Sequence, residues 1–328
     1  MTLEVGGDAA RAIPFLAFII FSVEGAAMSQ PDKKSCGFVA VVGAPNAGKS
    51  TLVNALVGQK VAIVTPKAQT TRTRLMGIAI HADSQILLID TPGIFEPKRR
   101  LDRAMVAAAW SSAQHADLIA LVVDAERGLY RGVVELIDRL RDRREPKILV
   151  LNKVDLVRKE ALLTLATEFG ARLEFESVFM ISASTGDGVP DLKAALAARM
   201  PEGPWHFPGD QVSDATDRML AAEVTREQLY HQLHAELPYE SAIETEKFEE
   251  RPDGSAAIHQ QILVARNSQK AIVLGKGGTR IRAIGEAARK ELGVLLGRKV
   301  HLFLHVKVNP KWEEDRGIYR EIGLDWVE

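Results

Sequence analysis

Residues 43–50 carry the feature that most constrains the fold, because Gly-Ala-Pro-Asn-Ala-Gly-Lys-Ser fits the G-x-x-x-x-G-K-[ST] pattern of a phosphate-binding loop. The apolar, β-branched run at 38–42 predicts a buried strand before it, and the apolar spacing in 51–57 predicts a helix after it. The alternative, a glycine-rich turn that matches the pattern by chance, would not explain why a predicted strand precedes it and a predicted helix follows it. The sequence therefore predicts a nucleoside triphosphate site between a strand and a helix N-terminus.

Several residues of this loop have a predicted role. Gly43 and Gly48 let the backbone curl so that successive N–H groups point at phosphate oxygens. Lys49 is predicted to bridge the β- and γ-phosphates during catalysis, and the Ser50 hydroxyl to ligate Mg²⁺. The predicted nucleotide contacts of the loop are Gly43, Ala44, Pro45, Asn46, Ala47, Gly48, Lys49, Ser50 and Thr51.

Residues 36–200 alternate apolar runs with helical segments, which predicts an α/β domain with a mostly parallel, doubly wound sheet. Ligands of such sheets bind beyond the carboxyl ends of the strands, so functional motifs are expected directly after strands. The predicted strands are 37–42, 75–80, 85–89, 118–123, 147–151 and 178–182.

The tetrapeptide Asp90-Thr91-Pro92-Gly93 follows one of these predicted strands. Its aspartate can hold Mg²⁺ through water, and the Gly93 N–H can meet the γ-phosphate. A D-x-x-G pattern alone is a common turn sequence. Its place after an apolar strand and downstream of a phosphate loop makes it a predicted part of the same site.

Residues 152–155, Asn-Lys-Val-Asp, follow another predicted strand and fit the N-K-x-D signature of guanine recognition. The Asp155 carboxylate can accept hydrogen bonds from guanine N1–H and the 2-amino group, at about 1.5–3 kcal/mol each, whereas adenine offers no matching donors. Asn152 and Lys153 are predicted to brace the base and the phosphate loop. The alternative is a solvated turn at a strand end. A weaker signal, the backbone N–H groups of Ser182 and Ala183, is predicted to contact guanine O6.

The length of 328 residues suggests two domains, and breaker-rich residues 201–210 mark the linker between them. The net charge of −1 hides a sharp segregation: residues 205–253 hold 4 Lys/Arg and 12 Asp/Glu, whereas residues 254–311 hold 11 and 2. This asymmetry predicts a basic face for an anionic partner in the second domain, residues 211–328. The single cysteine fits a reducing cytoplasm and excludes a cysteine metal cluster.

The second domain has a predicted order of helix, two strands, helix, G-x-x-G, helix and strand. The first helix is expected over 214–237, with Ser213 as N-cap, and the strands over 242–248, 256–265 and 301–308. This order resembles a type II KH domain, an α+β fold whose glycine loop approaches RNA phosphates. The alternative is a KH scaffold that binds protein. The predicted RNA contacts are Gly275, Lys276, Gly277, Gly278, Arg280 and Arg282.

The apolar stretch at 12–23 is too short for a transmembrane helix, and Glu4 and Asp8 before it do not suit a signal peptide. Residues 1–35 are therefore expected to be a disordered N-terminal extension. Met28 is a plausible start of the functional chain, and a weak membrane-surface anchor is the less favoured interpretation.

The four nucleotide motifs in this order resemble the translation-factor-related class of GTPases. The run at 67–72, Lys-Ala-Gln-Thr-Thr-Arg, matches the first switch of that class. A threonine of this switch completes Mg²⁺ coordination, and Thr71 is the first choice for that threonine and Thr70 the second. Ile94 stands where Ras-like GTPases place a water-orienting glutamine. Asn46 matches the asparagine through which one branch binds K⁺. The resemblance thus implies a slow, K⁺-stimulated GTPase with Lys49, Asn46, Thr71 and Gly93 as catalytic residues; the alternative is that Asn46 only caps the loop.

A GTPase domain with this switch, followed directly by a KH domain, resembles the Era family of bacterial GTPases over about residues 36–328. The resemblance implies a monomeric GTPase that uses GTP/GDP, Mg²⁺ and K⁺, with Ser50, Thr71 and Asp90 at the metal. It also implies binding to the 3′ end of 16S rRNA during 30S subunit maturation, and loose attachment to the inner membrane face. The alternative function is a P-loop enzyme that uses the nucleotide for chemistry, such as RNA modification.

Overall fold

Strand β1 (Ser35–Val42) lies inside a six-stranded sheet because its residues are apolar on both faces, and Val39–Val42 are at most 1% exposed. The sheet order is β2-β3-β1-β4-β5-β6, and only β2 runs antiparallel, to β3. This computed structural model describes residues 33–65, 67, 70–72, 75–93, 97, 99–233 and 237–327. The other strands are β2 (Leu75–His81), β3 (Ser84–Asp90), β4 (Leu118–Asp124), β5 (Lys147–Asn152) and β6 (Ser177–Ile181).

Helices cover both faces of this sheet, which confirms the predicted doubly wound α/β class. On one face the side chains of Leu52, Leu56 and Leu192 pack against the strands, and on the other those of Leu136 and Phe169 do so. The helices are α1 (Lys49–Val57) and α5 (Val189–Ala197) on the first face, and α2 (Arg100–Gln114), α3 (Arg131–Arg141) and α4 (Lys159–Gly170) on the second.

A second, three-stranded sheet follows in the order β7-β8-β9, with β7 antiparallel and β9 parallel to β8. Its elements are α6 (Asp217–Gln232), β7 (Ser241–Glu250), β8 (Ala256–Val264), α7 (Asn267–Leu274), α8 (Thr279–Leu295), β9 (Val300–Val308) and α9 (Arg316–Glu321). Side chains of α6, α7 and α8 pack on one face of the sheet, with Tyr230, Val273 and Leu292 fully buried. The predicted α+β order of a type II KH domain is confirmed.

The predicted start of α6 is wrong. Ser213 is not the N-cap, because it pairs with Gly77 of β2 in an isolated bridge, and the Asp214 carboxylate accepts from the Met76 N–H at 2.9 Å. The helix begins at Asp217 instead, where the Thr216 side chain accepts from the Met219 N–H. A long-range contact with the first sheet therefore prevails over the local capping signal.

The linker at 201–210 is held against the start of β3 and the β2–β3 turn of the first sheet. The fully buried Gln85 side chain donates to Phe207 O at 2.9 Å and accepts from the N–H groups of His206 and Phe207. The Trp205 indole N–H donates to Asp83 O at 3.0 Å. These contacts fix the point at which the chain leaves the first sheet.

A shared apolar cluster joins the two sheets. Leu101, Ala104 and Met105 of α2 pack with Ala242 of β7, with Leu263 of β8 and with residues near the C-terminus, namely Trp312, Ile318, Tyr319 and Leu324. Residues 34–328 accordingly form one compact unit. The expectations for residues 1–32 lie outside the described residues, and no helix in the described part of the chain is long and apolar enough to cross a membrane.

Candidate nucleotide site and nucleic-acid interface

The phosphate loop takes its shape from two left-handed residues and two tight backbone approaches. Asn46 has a φ of 64° and Gly48 a φ of 93°. A Cβ on Gly43 would collide with the Val122 carbonyl, and one on Gly48 would collide with the Asn152 side chain. Both glycines are therefore required where the loop turns from β1 into α1.

Lys49 is buried at the first position of α1. Its Nζ donates to Gly43 O at 3.1 Å and Ala44 O at 3.0 Å. Burial lowers the pKa of Lys49 to about 8, and the nearby Asp90 carboxylate opposes this shift. The desolvated ammonium has two neutral carbonyl partners here, so a phosphate anion would be a much better partner.

Three predicted metal ligands converge next to this lysine. The Ser50 hydroxyl lies 2.7 Å from Asp90 Oδ2 and 2.8 Å from the Thr71 hydroxyl, and Thr71 Oγ1 lies 3.2 Å from Asp90 Oδ2. Burial raises the pKa of Asp90, and its Oδ1 has no hydrogen-bond partner among the described residues. A cluster of oxygen donors with an unsatisfied buried carboxylate oxygen fits Mg²⁺, which prefers such ligands.

The neighbouring threonine has a different environment. Thr70 Oγ1 donates to Lys67 O at 2.8 Å and lies 2.7 Å from the Thr65 hydroxyl, within its own loop. Thr71, the first choice from the sequence, is thus the threonine that contacts Ser50 and Asp90.

A pocket with an empty volume of about 400 Å³ opens above the phosphate loop. Gly93 forms part of its wall because it packs on the backbone of Pro45, and a Cβ there would lie 2.9 Å from the Pro45 nitrogen. Thr91 stays buried and donates to Val41 O at 2.7 Å. The predicted residues that line the pocket are Pro45, Asn46, Gly48, Lys49, Ser50, Thr51, Thr71 and Gly93, while Gly43, Ala44, Ala47, Asp90, Thr91 and Pro92 are buried.

The guanine motif lies at the carboxyl end of β5. Asn152 Nδ2 donates to Ala47 O at 2.9 Å, so this side chain braces the phosphate loop. Lys153 is left-handed, with a φ of 66°, and its Nζ lies 2.6 Å from Asp124 Oδ2. The Asp155 side chain is exposed to solvent and accessible to a base.

The backbone N–H groups predicted to meet guanine O6 are engaged within the protein. Ser182 N–H donates to Asp187 O at 3.0 Å, and Ala183 N–H donates to Asn152 Oδ1 at 2.9 Å. In this structure the Ala183 N–H therefore fixes the loop to Asn152, and the Ser182 N–H closes the loop on itself through Asp187 O. The next N–H along the loop belongs to Ser184.

The second candidate site is the G-x-x-G turn between α7 and α8. Gly275, Gly277 and Gly278 have φ values of 70°, 60° and 75°, which side chains rarely adopt. Lys276 and Gly277 are exposed at its tip. The Arg280 guanidinium donates to Ile272 O at 2.7 Å and so ties α8 to α7.

A groove continues from this turn between α8 and β9. It is lined by Gly278, Ile281, Arg282, Gly285, Glu286, Arg289, Leu302 and Leu304. The sequence analysis did not identify Arg289 and the two leucines. The helical spacing of 278, 282, 285 and 289 is the signal that places Arg289 on the same face.

Two further residues at the nucleotide site were not predicted. Asp124 is the last residue of β4, and its carboxylate accepts a hydrogen bond from Lys153. Its position at the carboxyl end of a strand is the sequence signal that could have identified it. Arg72 is buried and donates to three carbonyls of the second sheet's entry turn, Ser241 O at 2.7 Å, Tyr239 O at 2.8 Å and Pro238 O at 3.2 Å. No local pattern identifies that contact.

Comparisons with known proteins agree with this arrangement. The family described as a 50S ribosome-binding GTPase matches residues 38–153, and the KH domain family matches residues 236–313. GTPase Era of Erythrobacter litoralis is 62% identical over 296 residues, which cover 89% of this chain and 97% of that protein. This chain belongs to the GTPase Era family.

Solved Era structures share the whole architecture. Era in complex with MgGDPNP and nucleotides 1506–1542 of 16S ribosomal RNA has a TM-score of 0.84 at 36% identity, covering 88% of this chain and 99% of that one. A point variant of Aquifex aeolicus Era, bound to GDP and AlF₄⁻, has the same TM-score and coverages at 37% identity. The Era resemblance and the GTPase activity expected from the sequence are confirmed. The expectation for Ile94 lies outside the described residues.

We predict that Asp155→Asn exchanges the base preference of this Era protein. The substitution replaces one acceptor by a donor that faces the guanine 2-amino group, so GTP affinity should fall by about tenfold or more, from the loss of one charged hydrogen bond. Xanthosine triphosphate, with a 2-oxo group, should bind better than it does to the wild type. Fluorescence titration with both nucleotides measures this.

Asp191→Asn is the matched control, because Asp191 is also exposed and lies in the first turn of α5. It should leave both affinities unchanged. An Asp155→Asn protein with wild-type GTP affinity would contradict the assignment of Asp155 to the base.

Proposed function

We propose that this chain is a GTP-hydrolysing assembly factor that binds the 3′ end of 16S rRNA during maturation of the 30S subunit. The observation that carries the proposal is the combination, in one compact unit, of the Ser50–Thr71–Asp90 cluster at a phosphate loop with a G-x-x-G groove. The solved Era complex with a 16S fragment supports the choice of RNA. Residues 36–200 form the proposed GTPase domain, 201–210 the linker and 211–328 the KH domain.

In this proposal Lys49 and the loop amides would bind the β- and γ-phosphates, and Ser50, Thr71 and Asp90 would hold the metal. Mg²⁺, when bound, supplies positive charge at the phosphates. Asp155 reads guanine, and Asn152 holds the base loop to the phosphate loop. Gly93 approaches the γ-phosphate from the pocket wall that it forms with Pro45.

The proposed catalytic cation is K⁺, held by Asn46 beside the β- and γ-phosphates. Asn46 supports this role because it lines the phosphate pocket in a left-handed conformation. A cation there would stabilise the charge that develops on the phosphates, as an arginine finger does in other GTPases.

If Asn46 holds K⁺, GTP turnover in KCl should exceed turnover in NaCl at equal ionic strength, by about tenfold or more, which is about 1.4 kcal/mol of barrier. Asn46→Asp should lose most of this dependence on the cation, and aspartate tolerates the left-handed backbone. Phosphate release assays in the two salts measure both effects. Equal wild-type rates in KCl and NaCl would leave Asn46 as a structural cap.

The proposed RNA surface is the G-x-x-G turn and the groove beside it. Lys276 and Arg282 supply charge, while Leu302 and Leu304 provide an apolar floor for bases. Gly275 lies close to the Arg280 backbone, whereas a Cβ on Gly277 would meet no atom within 4 Å. Position 277 therefore has room for a side chain, and aspartate is among the residues that adopt its left-handed φ of 60° most readily.

We predict that Lys276→Asp together with Gly277→Asp weakens RNA binding and leaves GTP binding unchanged. The variant places two negative charges against the RNA backbone and removes one positive charge. Binding to the 16S 3′-end RNA over a salt series should show lower affinity and a slope shallower by about 0.7.

Gly297→Asp with Lys299→Asp is the matched control. It makes the same charge change at an open, left-handed turn at the far end of α8, about 25 Å away. The control should bind RNA as the wild type does. Wild-type RNA binding by the G-x-x-G variant would place the RNA surface elsewhere.

GTP is proposed to control RNA binding through Arg72. Thr71 contacts the metal cluster, and Arg72 next to it donates to the carbonyls of the turn that enters β7. Glu240 of that turn accepts a hydrogen bond from Gln269, which in turn accepts from the backbone N–H groups ahead of α7. Helix α7 ends at the G-x-x-G turn. A continuous set of contacts thus connects the γ-phosphate sensor with the RNA loop.

A further inference from the structure

A second positively charged surface lies away from the G-x-x-G groove. It surrounds a pocket with an empty volume of about 920 Å³, between the start of α2, the segment ahead of α7 and the segment after β9. Five cationic side chains line it, namely Arg99, Arg100, Arg103, Arg266 and Lys311. We call these five residues the α2 basic pocket.

The cations of this pocket differ in how they are neutralised. Arg99 forms ion pairs with Asp102 at 3.5 Å and Glu313 at 3.4 Å. Arg100 lies over the Trp326 ring, and its buried Nε has no hydrogen-bond partner among the described residues. Three acidic side chains line the pocket, namely Glu240, Glu313 and Glu314, and Glu240 accepts a hydrogen bond from Gln269. Five cationic and three acidic side chains thus line the pocket, and this positive excess favours an anionic ligand.

The pocket also lies on the path that RNA would take from the glycine loop. Arg266 is the residue directly before α7, and the G-x-x-G turn begins directly after that helix. Eight helical residues span about 12 Å, so one strand of RNA can reach from the turn to Arg266 along α7. Lys270 on α7 adds a cation between the two ends.

We propose that the α2 basic pocket binds the phosphate backbone of the same RNA, outside the segment that the KH groove holds. A KH groove accommodates about four nucleotides, so a longer RNA needs further protein contacts. The inference rests on the RNA binding proposed above. It assigns Arg103, Arg266 and Lys311, all exposed, to phosphates of that RNA and brings it against α2 of the GTPase domain.

The test compares two RNAs on one variant. The triple variant Arg103→Ala, Arg266→Ala and Lys311→Ala removes three exposed charges. Fluorescence anisotropy over a salt series would use a short single strand that fills the KH groove and an RNA of the 16S 3′ end that spans nucleotides 1506–1542, as in the solved Era complex. The long RNA should bind more weakly, with a salt slope shallower by about 2, while the short RNA should bind as it does to the wild type.

A matched control removes three exposed cations that do not line the pocket, Arg139→Ala, Arg158→Ala and Lys159→Ala. It should leave both RNAs unaffected. Thermal unfolding checks that the variants fold. If the triple variant is unstable, Arg266→Ala with Lys311→Ala omits the change on α2, and the expected loss of slope is then about 1.4.

Two outcomes overturn the proposal: an unchanged slope and affinity for the long RNA, or an equal loss for both RNAs. The first shows that the pocket does not contact RNA, and the second that the substitutions act on the KH groove or on total charge. Failure of the proposed function gives a different result. The wild-type protein would then bind both RNAs only weakly, and its affinities would equal those of the Lys276→Asp, Gly277→Asp variant.

Discussion

The buried Asp90 carboxylate is the group on which the nucleotide site depends. It ends β3 in the fully covered part of the sheet, and its Oδ2 lies within hydrogen-bonding distance of the hydroxyls of Ser50, from the phosphate loop, and Thr71, from the segment ahead of β2. Three segments distant in sequence thus meet at one carboxylate. A buried carboxylate with one oxygen unsatisfied is costly without a cation, so the same arrangement that shapes the loop also makes Mg²⁺ a natural occupant.

The position of Thr71 has a consequence for the second domain. The next residue, Arg72, is buried and spans three carbonyls of the turn before β7, and Arg99 at the start of α2 donates to one of them, Tyr239 O, at 3.2 Å. Two segments, one directly after Thr71 and one at the start of α2, therefore hold the same turn. Loss of the Arg72 contacts would remove a donor from each of these carbonyls, so we expect the second sheet to respond when residues 67–72 move.

The parts that the sequence predicts well are those set by local chemistry. The loop at 43–50 requires glycines at fixed turns, and the strands before it and before Asp90 are apolar. The N-cap of α6 could not be predicted, because Ser213 and Asp214 pair with β2, far away in sequence. The docking of Arg72 and the α2 basic pocket could not be predicted either. Both are formed by elements that are far apart in sequence, so no local sequence pattern predicts them.

The most direct test of this account measures RNA affinity with a non-hydrolysable GTP analogue and with GDP, in the wild type and in Arg72→Lys. Lysine keeps the charge, but its single ammonium cannot span three carbonyls as the guanidinium does. Coupling through Arg72 predicts that the wild-type RNA affinities differ between the two nucleotides. The ratio of these two affinities should move towards one in Arg72→Lys and stay unchanged in Arg141→Lys, which alters an exposed contact with Arg172 O. A wild-type ratio of one, or an unchanged ratio in Arg72→Lys, would contradict this coupling.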